Sequence, residues 1–267
     1  NLYFKRGNAS EYLNNHKDAL KDFNEAIKID PKNSELLNAR AYLKSNLGDY
    51  QGAIKDLRKD MSLFGIDPWY WYQRGIYHEK LGDSKSAKKD FYRAIFVANA
   101  FIFFTGEEYS DFLYQFRADI KYELKDFEGA IEDIKKAIYF NPQDTSNYFV
   151  ISNYQYELGD YREAIQNINK VINLLPNKSF GFFIRGNSFY KLKDFFAAKE
   201  DFDKAIEING KDAKYFRSRA YANYALKELK NSCADYEKSI KMSYRPAEFA
   251  ITKISQQPFI WCENIFK

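Results

Sequence analysis

Small residues recur along this chain at a fixed interval, and that period limits the fold more than any other feature. Gly7, Ala41, Gly75, Ala118, Ser152, Gly186 and Ala220 stand about 34 residues apart, except for one step of about 43 between Gly75 and Ala118. The longer step places an insertion of about nine residues near Ile102 to Ser110. A second small column holds Ala19, Ala53, Ala87, Ala130, Ala164, Ala198 and Ser232. A third holds Ala26, Ala94, Ala137, Ala205 and Ser239, interrupted by Asp60 and Val171. Between them run two large apolar columns, Phe23, Leu57, Phe91, Ile134, Ile168, Phe202 and Tyr236, then Ile27, Met61, Ile95, Ile138, Ile172, Ile206 and Ile240. Offsets of three to four residues put small and large columns on one helix face. Small residues let two helices approach closely and large ones fill the gaps, so each unit buries its face against its neighbours.

Turn signals divide every unit in two. Leu47-Gly48-Asp49, Leu81-Gly82-Asp83 and Leu158-Gly159-Asp160 end a first helix with Gly and supply Asp to cap a second. Asp30-Pro31, Asn141-Pro142 and Leu175-Pro176 end the second helix, because Pro cannot continue it. Each unit is therefore predicted to be a helical hairpin, with units near 1–33, 34–67, 68–101, 111–144, 145–178, 179–212 and 213–246 and the insertion at 102–110. Beyond the array, residues 247–267 are expected to form a capping helix over Ala247 to Ser255, ended by Pro258, and an apolar tail around Phe259-Ile260-Trp261 that folds back on the array.

An internal covariation supports the register. Arg6, Arg40, Arg74, Arg117, Arg185 and Arg219 precede the first small column, and sixteen residues after each stands Asp22, Asp56, Asp90, Asp133, Asp201 or Asp235. In the fifth unit both partners change together, to Ile151 and Asn167. A semi-buried Arg without its carboxylate is costly, so the joint loss predicts an ion pair inside each hairpin rather than a ladder of arginines for phosphates.

The matched columns over residues 1 to 246 resemble the tetratricopeptide repeat (TPR) family. Trp71 stands where that family has Trp, while Tyr3, Leu37, Tyr114 and Phe182 replace it. The resemblance implies an all-α, right-handed superhelical solenoid of about seven helix-turn-helix units whose first helices line a concave groove. On that reading the partner-binding positions are Asn8, Tyr12, Asn38, Tyr42, Trp69, Tyr72, Gln115, Tyr122, Asn153, Tyr156, Phe183, Asn187, Tyr190, Arg217 and Tyr221. Aromatic rings there offer contact area at little entropic cost, and the Asn column can pair with a peptide backbone. A clamp for a C-terminal carboxylate is not expected, because Phe4 and Ala39 stand where the family's clamp needs Lys and an amide.

Other chemistry finds few parts. His16 and His78 are the only histidines, His16 at a position that is aromatic in other units, and no HExxH, GxSxG, Walker-type loop or CxxC is present. No catalytic residue, cofactor or metal site is expected. Cys233 and Cys262 make no disulfide framework and are expected to be free thiols, with Cys262 reaching Cys233 as the alternative if the tail folds back. With Lys+Arg 41 against Asp+Glu 37 the charges nearly cancel, and Lys alternate with acids, as in Lys55-Asp56 and Lys88-Lys89-Asp90, so no basic stripe is expected. No apolar run is long enough to span a membrane. The chain starts without Met, as a fragment would, and its compartment is open, with the cytoplasm favoured. The functional expectation is a non-catalytic scaffold that binds a partner protein or peptide. Self-assembly through the apolar tail ranks second, an RNA-binding repeat third and an enzyme last.

Overall fold

The computed structural model describes residues 2–64, 67–106 and 110–243. Within them the chain forms fourteen helices and no strand. They are α1 (Leu2–Tyr12), α2 (His16–Ile29), α3 (Ser34–Asn46), α4 (Tyr50–Phe64), α5 (Pro68–Lys80), α6 (Ser84–Thr105) and α7 (Ser110–Glu123), then α8 (Phe127–Phe140), α9 (Thr145–Leu158), α10 (Tyr161–Leu174), α11 (Ser179–Lys191), α12 (Phe195–Ile208), α13 (Ala213–Ala225) and α14 (Leu229–Ser243). Consecutive helices pair into seven hairpins. The chain divides into two compact units, Asn1–Asp133 and Ile134–Lys267.

The core is built from the repeated columns. Phe23, Leu57, Ile134, Ile168 and Phe202 are fully buried, with Phe91 and Tyr236 close behind, and Ala19, Ala53, Ala87, Ala130, Ala164 and Ala198 are buried beside them. Burying each large side chain stabilises the fold by about 1.5–3 kcal/mol. The first small column is small for a direct steric reason. A Cβ at Gly7, Gly75 or Gly186 would come 2.6, 2.5 or 2.7 Å from the ring of Phe23, Phe91 or Phe202.

All six Arg–Asp pairs form. Nε and Nη2 of each Arg donate to both carboxylate oxygens at 2.5 to 2.8 Å. The six aspartates are buried. In the fifth hairpin Ile151 is buried instead, and Asn167 donates to Gln155 Oε1 at 2.9 Å. Two further layers were not anticipated from sequence. The free Nη1 of Arg40, Arg185 and Arg219 reaches back to the preceding hairpin, donating to Asn24, Asn169 and Asp203 at 2.7, 2.7 and 2.6 Å. The residue twelve before the Asp adds a second partner in three hairpins, Lys44 to Asp56, Lys121 to Asp133 and Asn223 to Asp235, and in a fourth the same register places His78 Nε2 3.8 Å from Asp90.

Nothing between Phe101 and Thr105 breaks a helix, so α6 runs on through the first residues of the insertion and ends at Thr105 after 22 residues, with Gly106 as its C-cap. Glu107 and Glu108, and the expected capping helix and tail of 247–267, lie outside the described residues. Cys233 corrects an expectation: it is fully buried and disulfide-bonded, not a free thiol, while Cys262 lies outside the described residues.

Candidate functional site

The residues expected to face a partner all lie on first helices. Asn8 and Tyr12 are on α1, Asn38 and Tyr42 on α3, Trp69 and Tyr72 on α5, and Gln115 and Tyr122 on α7. Asn153 and Tyr156 lie on α9, Phe183, Asn187 and Tyr190 on α11, and Arg217 and Tyr221 on α13. None of them is buried: Asn8, Tyr12, Tyr42, Trp69 and Arg217 are exposed and the rest half-buried.

In the unit Asn1–Asp133, Trp69 and Tyr72 meet Phe116 of α7 at ring separations of 5.6 and 5.5 Å, and Tyr72 also lies 6.0 Å from Phe91. Phe116 escaped the sequence reading because its register, next to the Arg, holds Lys5, Gln73 and Ser218 in other hairpins and so shows no aromatic column. Burial first, then the charges of Asp119 and Glu123, raises the Tyr72 hydroxyl well above its ordinary value, so it remains a proton donor. Asn38 Oδ1 and Gln73 Oε1 are buried acceptors without a hydrogen-bond partner. Tyr12, at 89% exposed, is the most open ring of the set.

In the unit Ile134–Lys267, Phe183 packs against Tyr215 and Phe202 at 4.9 and 6.1 Å, tying α11 to α13 and α12. Tyr156 and Tyr190 stack on Tyr161 and Phe195, the first residues of the following helices, at 5.4 and 5.3 Å. Tyr122 does the same with Phe127 at 5.3 Å. This tyrosine column therefore braces the turn inside each hairpin and leaves only an edge for contact. The Asn column is different. Asn8, Asn153 and Asn187 make no side-chain hydrogen bond among the described residues.

Among the described residues no group of three His, Cys, Asp or Glu could hold a metal ion, and no helix is long and apolar enough to cross a membrane. The arginines that might have read phosphate are saturated by Asp. What the arrangement offers is amides and ring edges on first helices held at fixed spacing by buried second-helix columns.

Helical hairpins repeated at one period and packed on their neighbours define an all-α repeat solenoid. The chain belongs to the tetratricopeptide repeat family, whose models match residues 1–33, 23–55, 70–98, 113–144, 145–178 and 182–212. It is 33% identical over 98 residues to a DnaJ homolog subfamily C member 7 homolog of Dictyostelium discoideum, covering 36% of this chain and 18% of that one. It is 34% identical over 87 residues to tetratricopeptide repeat protein 36 of Danio rerio, covering 31% of this chain and 46% of that one. The chain thus spans less than half the length of either relative. Its fold is similar to that of a tetratricopeptide repeat protein from Parabacteroides merdae, with a TM-score of 0.69 at 16% identity over 92% of this chain and 93% of that one. Members of that family generally bind proteins or peptides.

Proposed function

We propose that the first-helix columns receive an extended segment or helix of a partner protein, and that the chain works as a non-catalytic scaffold. The observation that carries this reading is the Asn column. Asn8, Asn153 and Asn187 recur at one register and keep their amides free of protein partners among the described residues. An amide in that state can donate to and accept from a peptide backbone, and the half-exposed rings of the same helices, such as Phe183 on the helix of Asn187, add contact area.

Tyr42→Ala and Asn187→Ala, one in each compact unit, test it in a quantitative pull-down from the source lysate. Each variant is expected to recover several-fold less of the proteins that co-purify with the wild-type chain, at unchanged helical content. Undiminished recovery with both variants would show that these columns are idle.

A further inference from the structure

Helix α6 turns an unusual face to solvent. Lys85, Lys88, Lys89, Tyr92, Phe96 and Phe103 are all exposed, the three rings at 63%, 76% and 81%. At about 100° per residue these six fall within an arc of about 100°, the lysines in the first turns and the rings further along. In sequence, Lys88-Lys89-Asp90 looks like a cancelled charge. The structure separates them. Asp90 is the only acid of α6, is 2% exposed, and gives both carboxylate oxygens to Arg74. The lysines thus face water with no acid of their own helix between them.

The rings need an explanation too. At the register of Tyr92 the other hairpins carry Asn24, Arg58, Lys135, Asn169, Asp203 and Glu237. The helical extension then adds Phe103 and Phe104, each 81% exposed, to the same end. Among the described residues α8 also joins exposed Lys135 and Lys136 to an exposed Tyr139, but there the exposed Glu132 lies in the same arc, whereas the α6 arc holds no acid.

We infer that this face of α6 is a second docking surface, for a segment of a partner protein that carries carboxylates at one end and apolar side chains at the other. Charge complementarity fixes the first half, since Lys88 and Lys89 have no acid on α6 to offset them, while Lys85 lies near the Asp83 N-cap. Uncovered aromatic area fixes the second. The separation of cations from rings matches a two-part peptide better than a nucleic-acid strand, whose phosphates and bases alternate along its whole path.

The probe is a fluorescein-labelled helical peptide of about fifteen residues, roughly 22 Å long, with Glu on its first turns and Leu and Phe on its last. Anisotropy with the full chain is expected to show binding that weakens as salt rises. Lys85→Glu/Lys88→Glu/Lys89→Glu and, separately, Tyr92→Ala/Phe96→Ala should each weaken it at least about tenfold, equivalent to about 1.4 kcal/mol. All five side chains are exposed, so thermal unfolding should be unchanged. The inference is overturned if the peptide does not bind, if both variants bind it as the wild type does, or if phosphatidylserine vesicles or oligouridylate bind more tightly with the same dependence on these residues. Loss of peptide binding in Tyr42→Ala or Asn187→Ala would also overturn it, by moving the peptide to the first helices.

Discussion

Glycine and phenylalanine travel together in this chain. Gly7, Gly75 and Gly186 face Phe23, Phe91 and Phe202, whereas Ala or Ser in the same column is followed sixteen residues on by Leu57, Ile134, Ile168 or Tyr236. Total volume at the helix crossing is held roughly constant, as close packing demands, with the larger pair Ala220 and Tyr236 of the seventh hairpin as the exception. Gly75→Ala is therefore expected to cost about 1–3 kcal/mol by overpacking the Phe91 ring. Adding Phe91→Leu, which recreates the Ala41 and Leu57 arrangement, should recover part of that loss, so a double-mutant cycle in urea should show favourable coupling. The Arg–Asp hub makes a second prediction. Burial already lifts the Asp201 carboxyl above its ordinary value in spite of Arg185. Removing the guanidinium in Arg185→Ile should cost about 3–5 kcal/mol at neutral pH. A carboxyl with a raised folded value favours the fold below its unfolded value and loses that contribution as pH rises through the raised one. The deficit of Arg185→Ile should thus shrink near pH 4, about the ordinary carboxylate value. Arg185→Ile/Asp201→Asn, which copies the fifth hairpin, should be close to wild type at both pH values.

Each first helix is left through a residue in the left-handed region, but only three of these are Gly. Gly48, Gly82 and Gly159 have φ of 81°, 77° and 97°, while Asn14, Lys125, Lys193 and Lys227 hold the same register at 58°, 65°, 64° and 64°. Hairpin packing imposes the turn whether or not the residue suits it. Lys193→Gly and Lys227→Gly are expected to stabilise the fold by about 0.5–1 kcal/mol each, read as a raised urea midpoint. The following Asp is not equivalent in all hairpins. Asp194 accepts from Ala197 N–H at 3.1 Å, whereas Asp160 makes no side-chain capping bond. Asp194→Ala should cost about 1 kcal/mol and Asp160→Ala distinctly less, by the same measurement.

At the scale of the whole molecule, stability is a sum of hairpins and their contacts with the next. Arg40 with Asn24, Arg185 with Asn169 and Arg219 with Asp203 show that the polar links are nearest-neighbour as well. A chain ended at residue 212 should accordingly keep the helical signal per residue of the full chain, losing only the part carried by α13 and α14. Circular dichroism that fell much further would indicate a core shared across the chain rather than built hairpin by hairpin. The family match and the Parabacteroides merdae fold agree with the repeat reading, while the partner itself is a matter for the binding experiments.

The repeat period, the hairpin boundaries at Gly and Pro, and the Arg–Asp pairs were all legible in the residues, because close approach and charge burial each demand a specific type at a specific offset. Phe116, the back-reaching Nη1 bonds and the role of His78 were not, since they join registers that vary from unit to unit. Nor could sequence alone say that the tyrosines at 122, 156 and 190 brace turns. The α6 face is the sharpest case. Lys88, Lys89 and Asp90 are neighbours along the chain, and only the helix's rotation against Arg74 decides that the acid goes inward and the lysines out, because a turn of 3.6 residues sends adjacent side chains to different surroundings.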